Sequence, residues 1–157
     1  MNHTIRNAEA RDLPAVNNLL EQVLLVHHAG RPDLFNSSGK KYTDRELLGI
    51  FSDPATPVFV YEEGGQVAGY AFCAFQTSSG GSLKKHKTLY IDDICVDASS
   101  RGRHIGKALF DHVRQFAAQQ GCYNITLHVW QCNPGARAFY DAMGMQPQFT
   151  SMEIVLD

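Results

Sequence analysis

The segment from Thr88 to Trp130 constrains this chain's fold more than any other. Thr88–Val96 is an apolar run that reads as a strand. Residues 97–104 form a turn rich in small and basic residues. In Ile105–Gln119, the residues Ile105, Ala108, Leu109, His112, Val113, Phe116 and Ala117 fall at spacings of three and four, which makes one apolar face of an α-helix. Gly121 stops that helix in the usual C-terminal position, and Ile125–Trp130 reads as the next strand. A strand, helix and strand in this order form a right-handed crossover between parallel strands.

The remaining elements fit around that unit. Residues 3–8 alternate weakly and suggest a short first strand. Asp12 and Pro14 open a helix, with Asp as cap and Pro within the first turn. Its apolar stripe is Leu13, Val16, Leu20, Val23, Leu24 and His27, and Gly30 and Pro32 stop it. Residues 29–42 are a polar connection. Thr43 followed by Glu46 reads as a capping box for a helix over 44–52. Val58–Tyr61 and Val67–Gln76, joined through Glu63-Gly64-Gly65, carry a hairpin signal. Residues 77–87 read as a flexible loop carrying Lys84, Lys85 and Lys87. Asn133 and Pro134 start a last helix that ends at Met143 before Gly144, and a last strand lies within Gln148–Leu156. Strands joined by short turns over 58–96 are antiparallel. The expected fold is α/β with a mixed sheet and helices on both faces. With no internal repeat and no linker, residues 1–157 read as a single domain.

Composition narrows the function classes. Lys and Arg total 14 against 16 Asp and Glu, a formal charge of −2, which argues against binding nucleic acid through a basic surface. No apolar run approaches the roughly 18 residues needed to span a bilayer, and the first residues hold no apolar signal core. A soluble, cytoplasmic protein with no membrane or nucleic-acid partner is expected. Cys73, Cys95, Cys122 and Cys132 form no CxxC pair and match no zinc spacing, so no metal site is expected. They read as buried free thiols in a reducing compartment.

Residues 90–110, YIDDICVDASSRGRHIGKALF, carry the strongest chemical signal. A helix start presents unpaired backbone N–H groups and a positive dipole end, where an anion such as phosphate is favoured. Gly102 and Gly106 admit close backbone approach, while Arg101, Arg103 and Lys107 add positive charge. From the residues alone, an anion site and an ordinary tight turn with solvated arginines remain equal alternatives. Asp92 and Asp93 are adjacent on a strand and should point to opposite faces, so at most one would face an acceptor directly.

RGRHIGKAL resembles the pyrophosphate loop of the GNAT N-acetyltransferases, [QR]-x-x-G-x-[GA]. Arg101 takes its first position and Gly106 its last, while His104 stands where the family usually has Gly. IDDICV resembles the preceding strand, and NPGARAFYDAMGM resembles the later helix with its Asn and Ala-x-x-Phe-Tyr signature. The resemblance implies a central mixed, mostly antiparallel twisted sheet flanked by helices. It also implies transfer of an acetyl group from acetyl-CoA to a primary amine by direct attack in a ternary complex. The acceptor would be a small cationic amine, an amino acid derivative or a peptide N-terminus.

Under that resemblance, the cofactor lies along the backbone of Ile94, Cys95 and Val96, as an added strand would. Its pyrophosphate meets the segment Arg101, Gly102, Arg103, His104, Ile105, Gly106 and Lys107. Asn133, Phe139 and Tyr140 complete the cofactor site. Asp92 is the favoured base or amine-positioning anion and Asp93 the second choice; Tyr140 protonates the leaving thiolate. The connection before residue 43 would supply acceptor contacts from His28, Arg31, Asp33 and Phe35, together with Asp92. His27, on the apolar stripe, suits the core or a loop anchor, and Arg31 could simply pair with Asp33. A homodimer is common in this family. A non-catalytic acyl-CoA-binding or protein-interaction module on the same fold is the alternative, motivated by His104.

Overall fold

The computed structural model describes residues 2–156. The elements are β1 (His3–Asn7), α1 (Leu13–Gly30), α2 (Asp44–Ser52), β2 (Val58–Glu63), β3 (Gln66–Gly80), β4 (Leu83–Val96), α3 (Ile105–Gln119), β5 (Asn124–Leu127) and α4 (Pro134–Ala142), with single 3-10 turns at Ala10–Asp12 and Ala98–Ser100. The five strands stand in sheet order β1-β2-β3-β4-β5. The first four pair antiparallel and β4 pairs with β5 in parallel, as the α3 crossover requires.

Strand alternation gives the sheet two apolar faces. Phe59, Tyr61, Ala71, Cys73, Leu89 and Ile91 pack against Ile105, Leu109, Phe110, Val113 and Ala117 of α3. Val58, Val60, Tyr70, Phe72 and Cys95 pack against Val16 and Leu19 of α1 and Leu47 of α2. Helices therefore cover both faces of a mixed, mostly antiparallel sheet. No helix of the described residues is long and apolar enough to cross a membrane.

Five local expectations are corrected. Residues 77–87 are not a loop: β3 and β4 continue as a ribbon, with Thr77 opposite Lys87 and the turn at Gly80–Leu83. Lys87 Nζ lies 4.5 Å above the Phe75 ring, so one of the three lysines is packed along the ribbon. The strand expected over Ile125–Trp130 ends at Leu127. No strand forms within Gln148–Leu156; β5 makes no ladder with that segment, and a lone strand cannot satisfy its backbone groups. Asp12 occupies the N-cap position of α1, but its carboxylate does not cap the helix. It accepts from the Glu9 amide at 2.7 Å and from both terminal nitrogens of Arg6, at 2.8 and 3.0 Å. Thr43 and Glu46 do form the expected capping box. All four cysteines are free, but only Cys73 and Cys95 are buried, and Cys132 is exposed.

Candidate active site

The site begins with an irregularity in β4. Phe72 pairs with Asp93 and Cys73 pairs with Ile91, which leaves Asp92 as one extra residue, a β-bulge. A bulge cancels the alternation that would set neighbours on opposite faces. Asp92 therefore meets residues of the α1–α2 connection, and Asp93 meets Tyr70 on the α1 side of the sheet. The expectation that at most one carboxylate faces the site is corrected: Asp92 and Asp93 line the same cleft, of about 1420 Å³.

The bulge also ends the pairing between β4 and β5. Their ladder runs from Thr88 with Asn124 to Ile91 with Leu127 and stops there. Beyond it, Ile94, Cys95 and Val96 pair with β3 on one side only. Among the described residues no strand covers their other edge, which faces the cleft. The Cys95 side chain points away into the α1 core, where burial pushes its thiol up to about 12.

Each carboxylate has a distinct partner. Lys41 Nζ donates to Asp92 Oδ2 at 2.8 Å, and the Tyr42 hydroxyl donates to the same oxygen at 3.4 Å. The fully buried Tyr70 donates its hydroxyl to Asp93 Oδ2 at 2.6 Å. Burial pushes the Asp93 carboxyl up to about 6, reinforced by the neighbouring charge of Asp92 and opposed by Tyr70 and Lys41.

Opposite the open edge stands α4. Asn133 caps it, its side-chain oxygen accepting from Ala136 N at 3.2 Å. Phe139 packs on the start of α3, where a Cβ at Gly106 would lie 3.3 Å from the ring, so glycine there admits the aromatic side chain. Tyr140 stacks edge-on against Phe139 and lines the cleft. Burial, then the charge of Asp93, keeps its phenol well above the ordinary tyrosine range. Among the described residues its hydroxyl has no hydrogen-bond partner.

The N-terminus of α3 opens into the same cleft. No side chain caps it and no acidic residue lies in its first turn. His104, its N-cap, is left-handed at φ 62°, the one non-glycine with positive φ among the described residues. This conformation explains why glycine suits the position, and the His104 ring is exposed. Gly102 is also left-handed, with open space where a Cβ would stand. Arg103 pairs with Glu63 at 2.6 Å and Lys107 with Asp111 at 2.6 Å. Arg101 makes no ion pair among the described residues.

The acceptor side differs in part from expectation. Phe35 lines the cleft, with its ring 4.9 Å from His27 and 5.3 Å from Trp130. His27, expected in the core or as a loop anchor, joins this aromatic wall. His28 Nδ1 contacts the Phe35 carbonyl at 2.8 Å, a buttress behind the wall. Arg31 pairs with Asp33 at 2.9 Å and also with Glu153; neither Arg31 nor Asp33 lines the cleft. Lys41, Tyr42, Tyr70 and Trp130 are cleft or carboxylate partners that sequence reasoning missed. Tyr70 sits in an apolar strand and reads as core, and Lys41 belongs to a polar run without periodicity.

The sequence profile of the acetyltransferase (GNAT) family matches residues 23–145. Thialysine N-epsilon-acetyltransferase from Bos taurus is 29% identical over 136 residues, covering 87% of this chain and 74% of that protein. The glucosamine 6-phosphate N-acetyltransferase of Trypanosoma brucei brucei is 29% identical over 136 residues, covering 85% of each. A mutant form of the BH1408 protein from Bacillus halodurans superposes with a TM-score of 0.93 at 28% identity, over 98% of this chain and 99% of that one. The glucosamine-6-phosphate N-acetyltransferase of Arabidopsis thaliana shares the fold, with a TM-score of 0.73 at 22% identity over 100% of both chains. The profile match spans the bulged strand, the uncapped helix and the Phe139–Tyr140 pair, and the chain belongs to the acetyltransferase (GNAT) family of acetyl-transferring enzymes.

Proposed function

We propose that this enzyme transfers an acetyl group from acetyl-CoA to the primary amine of a small cationic alkylamine, by direct attack in a ternary complex. The observation that carries the reading is the bulge at Asp92, which opens the β4 edge and turns two carboxylates into one cleft. The lysine-like acceptor in the name of the Bos taurus relative supports a cationic amine.

The chain's residues suit the donor. The uncapped start of α3 leaves N–H groups for a pyrophosphate, Gly102 leaves space beside them, and Arg101 adds a cation. Ile94, Cys95 and Val96 offer an open strand edge to the pantetheine amides. Bound acetyl-CoA supplies an activated thioester carbonyl. Asn133 and Phe139 border the same space.

The acceptor arrives as an ammonium, with a pKa of about 10.4 for a lysine-like amine. Asp92 holds it, as it holds the Lys41 ammonium. Asp93, pushed up to about 6, is a stronger base than an ordinary carboxylate and takes the proton. The Tyr140 phenol, held neutral by its surroundings, donates a proton to the departing sulfur. Phe35, His27 and Trp130 form an apolar wall for the acceptor's carbon chain.

A thiol-release assay over linear diamines, lysine-like amines and glucosamine 6-phosphate tests the proposal. Alkylamines should be turned over ahead of the sugar phosphate. Tight acetyl-CoA binding in calorimetry with no amine turned over, or turnover confined to the sugar phosphate, would contradict it.

A homodimer belongs to the same reading. Met152, Ile154 and Leu156 are 85 to 86% exposed in a segment that forms no strand. Their apolar surface and free backbone groups favour pairing with a second copy.

A further inference from the structure

Asp92 already holds a primary amine. Lys41 reaches it across 51 positions of sequence, at 2.8 Å, from the connection between α1 and α2. The same ammonium feels the charge of Asp93 and lies on the wall of the cleft that contains Tyr140. Its side chain is a flexible alkylamine, the class of acceptor proposed above. Lys40, next to it, makes a different contact, pairing with Asp44 at 3.1 Å. The two side chains are similarly exposed, at 58% for Lys40 and 53% for Lys41. They differ in partner: only Lys41 rests on a carboxylate of the cleft.

We propose that Lys41 is an internal acceptor, so that with acetyl-CoA bound and no small amine present the enzyme acetylates its own Lys41 Nζ. The inference rests on the acceptor chemistry proposed above. The ammonium first gives a proton to Asp93, which passes it to water. The neutral nitrogen attacks the thioester carbonyl carbon, the C–N bond forms and the C–S bond breaks. The sulfur takes a proton from Tyr140, and the nitrogen's second proton restores the phenol. The products are an amide on Lys41, free CoA thiol and one proton in solution. The acetylated side chain has no charge, so it leaves Asp92 free and no longer competes with a cationic acceptor. Self-modification thus lowers KM for small amines, and small amines protect Lys41.

The full chain incubated with acetyl-CoA alone, then digested and analysed by mass spectrometry, tests this directly. Acetylation at Lys41 should exceed that at Lys40 by about tenfold or more, because Lys41 is held at the reacting groups. Its rate constant should not change with protein concentration, and a linear diamine or Asp93→Asn should suppress it. The premise that the cleft's carboxylate holds Lys41 has its own readout: without acetyl-CoA, Lys41→Gln should bind a linear diamine more tightly in calorimetry. Equal labelling of Lys40 and Lys41, with small amines still turned over, would overturn the inference and leave the proposed function standing. No labelling of Lys41 and no turnover of any amine would overturn both.

Discussion

At the scale of single residues, Tyr140 and His104 make opposite predictions. Tyr140 stands in the cleft with an unused hydroxyl and a phenol held neutral by burial. Tyr140→Phe should lower kcat about 100-fold or more, the usual worth of a positioned general acid. Acetyl-CoA affinity measured by calorimetry should be nearly unchanged, since only the proton is lost. An unaltered kcat would remove Tyr140 from the mechanism. His104 carries backbone strain but no required side-chain contact, because an anion at a helix start needs N–H groups. His104→Gly should raise stability by up to about 1 kcal/mol, the order of the left-handed penalty. Donor affinity should hold. A large loss of CoA binding in that variant would mean that the imidazole itself touches the phosphates.

At the scale of elements, what was legible in the sequence follows the reach of each signal. The three-four stripe of Ile105–Gln119 is a local property, and it placed α3 with its ends at residues 105 and 119. Thr43 and Glu46 announce their capping box for the same reason. The bulge at Asp92 has no such signature, because it arises from the register between β3 and β4. Both aspartates were readable as candidates, but their convergence was not. Glycine and serine in 77–87 suggested a loop, yet cross-strand pairing carries them as ribbon. Asp12 read as a cap, and an arginine six positions earlier claimed it. That pairing has a measurable weight. Burial alone would raise the Asp12 carboxyl, but the Arg6 guanidinium and the Glu9 amide outweigh it and hold it below the ordinary range. Asp12 is 4% exposed, so Arg6→Ala leaves a buried carboxylate without its partner and should cost about 3 kcal/mol by denaturant unfolding at pH 7. A carboxyl depressed in the folded state stabilises above its unfolded pKa of about 3.9 and ceases to as pH falls through the folded value. The gap between wild type and variant should therefore narrow below pH 4 or so. A gap constant down to strong acid would assign the loss to packing of the arginine stem.

At the scale of the whole molecule, the formal charge of −2 conceals a division of labour. The same cleft is lined by the uncapped start of α3 with Arg101 and by the carboxylates Asp92 and Asp93. An anionic donor and a cationic acceptor would meet along the open edge of β4. Arg103 pairs with Glu63 and Lys107 with Asp111, so in the proposed donor site the backbone N–H groups of α3 and Arg101 would carry most of the anion contacts. The exposed C-terminal apolar residues belong to this scale too. Light scattering should give a dimer mass for the wild type and a monomer for Ile154→Glu; a monomeric wild type would contradict the dimer. The bulge sets Asp92 and Asp93 in one cleft, and in the proposed mechanism Asp92 anchors the amine while Asp93 accepts its proton. The pH dependence of kcat/KM for a linear diamine tests it most directly. Asp93 must lose its proton before it can act, so activity should rise with pH through a limb centred at about 6. The charge of Asp92 helps hold Asp93 up, so Asp92→Asn should weaken acceptor binding and move that limb to lower pH. A limb that keeps its position in Asp92→Asn, or that survives in Asp93→Asn, would contradict the account.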